Sequence, residues 1–157
     1  MNVASEVAAP QRASVEVHST RFGTFAVPAD RVLRFAEGLI GFPDYHRFVI
    51  VEHTRPGPLR WLLCLDEPEL AFAVVDPAEF FPDYRVDAHG CLGIAAERDV
   101  AVFAIVTIPR THPVGMSANL MAPVVVDVET REARQLILDD GSYSTRHPLL
   151  PHSARTD

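Results

Sequence analysis

Thirteen prolines spread over 157 residues are the feature that most constrains the fold of this chain. A proline inside an α-helix removes a backbone hydrogen bond and clashes with the preceding turn. The spacing leaves few uninterrupted segments in which a long helix could form. The chain is therefore predicted to fold into short elements, and strands joined by turns satisfy that constraint best.

Short runs of β-branched, aromatic and aliphatic residues recur between the turn signals, which is typical of a sandwich or a barrel. The last run ends at Asp139-Asp140-Gly141, a strong turn signal. The fold class predicted from this pattern is all-β, a closed or nearly closed antiparallel β-barrel-like domain with a few one-turn helices. Candidate strands are 15–17, 24–27, 31–35, 48–51, 61–65, 72–75, 100–108, 120–127 and 136–138.

Helical signals are weak and local. Asp76 followed by Pro77 predicts a capped single turn over 77–81, and residues 43–46 offer a second candidate. Residues 88–99 predict a short helix that two glycines weaken.

The chain divides into one domain and two tails. Residues 1–13 are predicted to be a flexible N-terminal arm, residues 14–150 a single domain, and residues 151–157 a flexible C-terminal tail. The longest apolar run, 100–108, is about half as long as a membrane-spanning helix needs. We find no apolar segment of signal-peptide length near the start, so we expect a cytoplasmic protein with no membrane partner.

Charge narrows the choice of partners. All 14 basic residues are arginine, and with 21 carboxylates they give a formal net charge of -7. Because the arginines are scattered along the chain, this charge disfavours direct nucleic-acid binding and favours a basic protein partner. The two cysteines, Cys64 and Cys91, have apolar neighbours and are expected to be reduced core residues.

The sequence gives little support to catalysis or metal binding. Asp139, Ser144 and His147 supply the residue types of a hydrolytic triad, but turn contacts explain their spacing better. His89 and Cys91 come nearest to metal-ligand spacing, and no second ligand pair accompanies them. We therefore predict no catalytic residues, no metal and no cofactor.

The segment 76–84 differs in kind, because it places three aromatic rings among two prolines and three acids. Aromatic side chains on a proline-stiffened loop lose little entropy on binding, and carboxylates suit a basic partner. The alternative is that Phe80 or Phe81 plugs the bottom of the barrel. The predicted partner-binding residues are Asp76, Glu79, Phe80, Phe81, Asp83, Tyr84 and Asn119.

Two further polar segments leave their roles open. Asn119 interrupts an apolar run, so it either satisfies backbone groups at a strand bend or faces a partner. The segment 143–146 either locks the barrel or contacts a partner, and locking is the better explanation.

Several segments, taken in order, resemble the flagellar assembly factor FliW family from about residue 18 to 149. Any one of them would be weak evidence, but they lie in register across the whole domain. They are Arg21-Phe22-Gly23, 35–42, 61–72, Val75-Asp76-Pro77, 80–84, 104–109, 118–123 and 143–149.

The resemblance implies a cytoplasmic, non-enzymatic protein with a β-barrel-like fold. Members of this family bind newly made flagellin and, in exchange, CsrA, a small RNA-binding repressor of flagellin translation. When flagellin is secreted, the free factor captures CsrA and translation resumes. Residues 88–99 are shorter and richer in glycine than the acidic helix that relatives often have. If the family's partner surface uses that helix, the resemblance implies flagellin binding more firmly than CsrA binding. The rival classes are a hydrolytic or ligand-binding β-barrel.

Overall fold

A computed structural model describes residues 13–52, 56–109, 115–139 and 141–149. Both predicted tails therefore lie almost wholly outside the described residues. The helical elements that lie wholly within these residues are two 3-10 turns, η1 (Ala29–Arg31) and η2 (Pro77–Glu79), and one short helix, α1 (Ala88–Leu92). The strands are β1 (Ser14–Ser19), β2 (Gly23–Pro28), β3 (Leu33–Phe35), β4 (Arg47–Glu52), β5 (Arg60–Cys64), β6 (Ala71–Val75), β7 (Val100–Thr107), β8 (Ser117–Asp127), β9 (Glu132–Gln135) and β10 (His147–Pro148).

Strands β3 to β9 close into a seven-stranded barrel. Each strand pairs with the next along the chain in antiparallel fashion, and β9 then pairs with β3. The closing pair is parallel, with Arg34 opposite Glu132. This confirms the predicted closed barrel, in which every neighbouring pair except β3–β9 is antiparallel. An odd number of strands cannot close with every neighbouring pair antiparallel, so one parallel pair is a geometric necessity.

The barrel interior is filled by apolar side chains from all seven strands. The side chains alternate along each strand, so Leu62 lies inside while Trp61 and Leu63 lie on the outer face. Phe35 and Phe48 meet edge to face at 5.1 Å between ring centroids. The inner core comprises Leu33, Phe35, Leu39, Phe48, Leu62, Cys64, Val74, Val124, Val126 and Ala133.

The β1–β2 hairpin covers part of the outer face. Val17 and Val27 of the hairpin are buried in the same cluster as Trp61. The ring of Phe22 meets Trp61 edge to face at 5.7 Å, and the Arg21 guanidinium lies 4.3 Å from the Trp61 ring centroid. A second apolar layer therefore forms outside the barrel, which explains why its strands are apolar on both faces.

Strand β8 bends in its middle, where its pairing with β7 shifts register. Phe103 faces Val124 and Ile105 faces Asn119, so residues 120–123 bulge opposite a single residue of β7. The Asn119 side-chain oxygen accepts the backbone N–H groups of Met121 at 3.1 Å and Ala122 at 3.0 Å. Asn119 thus satisfies backbone groups at a strand bend, one of its two predicted roles.

The strand predicted over 136–138 is wrong, because the strand in this region is β9, which ends at Gln135. Residues 136–138 follow β9 as irregular backbone, in which Leu136 N donates to Pro123 O at 2.8 Å and Leu138 N to Met121 O at 2.7 Å. These residues bond to the β8 bulge instead of forming a regular ladder. Residues 43–46 also form a turn and no helix, whereas the capped turn after Asp76 and the short helix within 88–99 are confirmed.

The two cysteines differ, which corrects the expectation that both belong to the core. Cys64 is buried in the barrel interior, and burial raises the pKa of its thiol. Cys91 is exposed on α1. That helix has five residues and buries Ala88 against the barrel before Gly93, at φ 70°, ends it. Among the described residues, no helix is long and apolar enough to cross a membrane.

The turn between β8 and β9 is organised by one buried carboxylate. Asp127 is 3% exposed, and its side chain accepts from the backbone N–H of Glu129 at 3.0 Å and of Thr130 at 3.4 Å. Its other oxygen accepts from the Arg98 guanidinium at 2.7 Å. Burial alone would raise the pKa of Asp127, but these hydrogen bonds outweigh it and hold the pKa below its ordinary value.

Replacing Asn119 tests the bend in β8. We expect Asn119→Ala to lower the free energy of unfolding by about 1–3 kcal/mol, because Ala122 N–H is left without its acceptor. Asn119→Asp keeps an acceptor oxygen and should retain most of the stability. Denaturant unfolding of the three proteins measures the difference, and equal losses in both variants would contradict this role.

Lowering the pH tests the Asp127 turn. A carboxylate whose pKa is lowered by folding stabilises the fold above its unfolded pKa of 3.8 and loses that contribution as the pH falls through the folded value. The Tm of the wild type should therefore fall more steeply below about pH 4 than that of Asp127→Asn, which is less stable at neutral pH. Asp66→Asn, which removes an exposed ion pair with Arg47, is the control and should change Tm little.

Candidate functional site

The predicted binding segment forms a compact loop, residues 76–84, between β6 and α1. The Asp76 side chain accepts Ala78 N–H at 3.0 Å, and Pro77 occupies the first helical position of η2. Phe80 N and Phe81 N both donate to Pro77 O, at 3.1 and 2.8 Å. The Asp76 cap, the proline ring and the hydrogen bonds to Pro77 O hold the loop backbone in one conformation without a partner. Ordering the loop therefore adds little to the entropic cost of binding.

Tyr84 anchors the far end of this loop. It is 8% exposed, and its hydroxyl donates to Leu120 O at 2.7 Å within the β8 bulge. Burial, together with the neighbouring Tyr143, raises the pKa of Tyr84, so the phenol stays neutral. Among the predicted binding residues, Tyr84 therefore lies in the core, where it positions the loop.

The C-terminal segment completes a row of aromatic rings along the loop. Phe81 contacts the His147 ring at 5.7 Å, and Tyr143 contacts Tyr84 at 4.7 Å, both edge to face. Tyr143 and His147 are themselves 6.1 Å apart. From sequence, the segment 143–146 either locks the barrel or contacts a partner. No sequence signal indicates that the rings of Tyr143 and His147 meet a loop some 60 residues earlier in the chain.

Phe80 and Phe81 lie outside the barrel. Both are half-buried and pack against the outer apolar layer, with their ring centroids 6.4 Å apart. The alternative in which one of them plugs the barrel is wrong, because the interior is filled by the strands' own side chains. Each ring keeps part of its surface in solvent.

Two carboxylates flank these rings. Glu79 and Asp83 are exposed, and neither forms an ion pair with another described residue. The nearby Arg85 guanidinium donates to backbone oxygens of Pro82 at 2.9 Å and Tyr84 at 3.0 Å, so it braces the loop. The loop thus presents apolar ring surface bordered by negative charge.

Asn119 lies next to the point where the loop is anchored. It is half-exposed and directly precedes Leu120, whose carbonyl accepts the Tyr84 hydroxyl. The structure therefore brings Asn119 close to the other predicted residues through the β8 bulge, although more than thirty residues separate it from them in sequence.

Two residues of the possible hydrolytic triad, Ser144 and His147, make turn contacts. Ser144 N donates to His147 Nε2 at 2.9 Å, and the Ser144 hydroxyl accepts Arg146 N–H at 3.2 Å. A ring nitrogen that accepts a backbone N–H is not available to take a proton from a hydroxyl. These contacts match the turn explanation of the motif.

Neither a metal centre nor an enclosed cavity adjoins the loop in the described part of the chain. No group of three or more potential ligands lies close enough to hold a metal ion there. A shallow groove of ≈ 630 Å³ runs beside the loop and is lined by Asp76, Pro77, Arg85 and residues of β7. The arrangement suits contact with another polypeptide better than enclosure of a small molecule.

Comparisons with known proteins agree on one family. A family model described as FliW protein matches residues 16–149. The chain is 38% identical over 146 residues to the flagellar assembly factor FliW of Magnetococcus marinus, covering 90% of this chain and 89% of that protein. It is 40% identical over 134 residues to the flagellar assembly factor FliW of Syntrophotalea carbinolica, covering 83% and 94%.

A solved structure agrees as well. The crystal structure of a flagellar assembly factor FliW matches with a TM-score of 0.76 and 30% sequence identity, over 87% of this chain and 98% of that one. The resemblance seen in the sequence motifs is therefore confirmed across the barrel and the 76–84 loop. This chain belongs to the FliW family of flagellar assembly factors.

Proposed function

We propose that this protein acts in the cytoplasm by binding flagellin and, in exchange, the translational repressor CsrA, and that it catalyses no reaction. Release of flagellin would free it to capture CsrA and so relieve repression of flagellin translation. Family membership supports the role in flagellar assembly. The observation that carries the binding mode is the 76–84 loop, with two half-exposed phenylalanines bordered by Glu79 and Asp83.

The two kinds of side chain contribute differently to binding. Aromatic rings that become desolvated at the centre of an interface supply most of the affinity. Exposed carboxylates speed encounter with a basic surface and select against acidic partners. The other predicted residues, Asp76, Tyr84 and Asn119, hold the loop and its anchor in shape through the hydrogen bonds that they form.

Charge also explains how binding would affect CsrA. An RNA-binding protein presents basic surface to phosphates, which dominate its affinity for RNA. A protein of net charge -7 docked beside that surface lowers its attraction for RNA even where it leaves some contacts open. The effect is screened at physiological salt over about 8 Å, so it depends on ionic strength.

Substitution of the phenylalanines tests the surface directly. We expect Phe80→Ala or Phe81→Ala to weaken binding by about 2 kcal/mol or more, roughly a 30-fold rise in Kd. Affinity for purified flagellin and for purified CsrA is measured separately by calorimetry, with Tm recorded for each variant. Unchanged affinity for both partners would remove the loop from the interface.

Tyr84→Phe is the matched control for loss of stability. It removes the hydrogen bond to Leu120 O and should lower the free energy of unfolding by about 1 kcal/mol while leaving the solvent-facing rings in place. Affinity should stay close to that of the wild type. If Tyr84→Phe weakened binding as much as Phe81→Ala, the effect of both would be one of folding.

A salt series tests the electrostatic part of the proposal. The protein should displace RNA from CsrA at low salt, and the concentration of protein that is needed should change with the salt concentration. The double variant Glu79→Gln, Asp83→Asn keeps the rings and removes two negative charges, so its displacement should be weaker and less dependent on salt. Absence of displacement by the wild type at low salt would defeat the proposed effect on CsrA.

A further inference from the structure

Three arginines converge at one mouth of the barrel, although the protein as a whole is acidic. Arg31 of η1, Arg60 of β5 and Arg131 of the β8–β9 turn line one recess with interior-facing residues of the barrel. We propose that this arginine mouth, defined by these three residues, binds a carboxylate that is carried beside a single apolar group. This inference goes beyond flagellin and CsrA binding and does not rest on it.

The floor of the recess sets the size of the apolar group. The recess has a volume of ≈ 160 Å³, and cavities of about 150 Å³ hold one benzene-sized molecule. Ile50, Ala101 and Phe103 are only half-buried, so their apolar surface is open to a ligand. The apolar lining comprises Leu33, Ile50, Ala101, Phe103, Val126 and Val128.

The rim supplies the charge. Several arginines elsewhere are paired, as in Arg34 with Glu132, Arg47 with Asp66 and Arg98 with Asp127. In the described part of the chain, none of the three mouth arginines forms an ion pair. Guanidinium groups bind carboxylates through paired, charge-assisted hydrogen bonds, so they suit a carboxylate at the entrance.

An acidic side chain also stands at this mouth and has to be counted. Glu52 lies opposite Arg60 in the β4–β5 register and is exposed. The charged side chains that line the recess itself are all arginines. The charge of the recess lining is therefore positive, opposite to the net charge of the whole protein.

Arg131 has a backbone conformation that is unfavourable for a residue with a side chain. Its φ is 67°, in the left-handed region that favours glycine, and its N–H closes the turn by donating to Asp127 O at 2.7 Å. A glycine would close this turn with less strain. The arginine adds a guanidinium to the mouth at the expense of local stability, which is the pattern of a residue retained for binding.

The arginine mouth adjoins the groove beside the 76–84 loop and shares part of its lining with that groove. The groove beside the 76–84 loop shares Arg60, Ala101 and Phe103 with the recess, whereas Arg31 and Arg131 line only the recess of these two. Variants at Arg31 and Arg131 can therefore report on the mouth alone.

The required chemistry occurs in a small carboxylic acid with a branched or aromatic group and in an apolar residue at the free C-terminus of a polypeptide. Calorimetry with N-acetyl-leucine and with a ten-residue peptide ending in leucine distinguishes these sources, each probe being compared with its C-terminal amide. We expect at least tenfold weaker binding of both amides. The probe that binds more tightly identifies the source, and equal binding of acid and amide would overturn the proposal.

Arg131→Gly is the decisive variant, because it removes the guanidinium and relieves the backbone strain together. We expect a Tm equal to or above that of the wild type, with at least tenfold weaker binding of the better probe. Arg146→Gln, an exposed arginine outside the recess, is the charge-matched control and should bind the probe as the wild type does.

The outcomes separate this site from the partner surface. Arg131→Gly should retain its affinity for flagellin and CsrA, which are measured on the same samples. Loss of probe binding in Arg31→Gln, with its Tm unchanged, would support the site from a second element. Wild-type probe binding by Arg131→Gly would overturn it.

Discussion

Closing a barrel of seven strands forces one pair of neighbours to run parallel, and the structure is organised around that seam between β3 and β9. A parallel pair has no hairpin to hold it together, so other contacts must do so. Arg34 supplies them, with its backbone N–H bound to Arg131 O at 2.9 Å and its guanidinium to Thr130 O and Glu132. The Asp127 turn, which directly precedes β9, is therefore part of the closure.

Strand β8 carries the second consequence of closure. Through Ser117 and Ala118 it pairs with β10, and through Val124 to Val126 it pairs with β9, so it changes neighbours at the bulge between them. Backbone groups released there need partners. Tyr84 and Ser144 provide them, since Leu120 O accepts from the Tyr84 hydroxyl and Leu120 N donates to Ser144 O. The bulge thus ties both the 76–84 loop and the C-terminal segment to one place on the barrel.

Much of the barrel could be predicted from the local sequence pattern. The strand predictions that are wrong have local causes. Strands β4 to β8 were recognisable because both of their faces are apolar, one toward the interior and one toward the outer layer. Strand β9 was missed because Arg131 occupies a left-handed turn position where glycine would have marked the turn. The turn signal at Asp139-Asp140-Gly141 predicts a strand directly before it, over 136–138. The backbone of these residues instead forms hydrogen bonds with the β8 bulge.

The candidate site was predictable only in part, because sequence shows composition and the surface depends on tertiary contacts. The acids and rings of 76–84 could be found as a cluster, and the cap at Asp76 could be foreseen. That Tyr84 turns inward while Phe80 and Phe81 stay half-exposed depends on the β8 bulge. The approach of His147 to Phe81 depends on the pairing of β10 with β8.

In the proposed exchange of partners, charge and aromatic contact act at different stages. The net charge of -7 acts over a screening length of about 8 Å and so governs encounter. The phenylalanine rings act only in contact and so govern the dissociation rate, where most differences in affinity arise. Under this proposal, the lifetime of each complex depends chiefly on the two rings. The backbone of these rings is held by the shared acceptor Pro77 O, and the far end of their loop is anchored on the β8 bend through Tyr84.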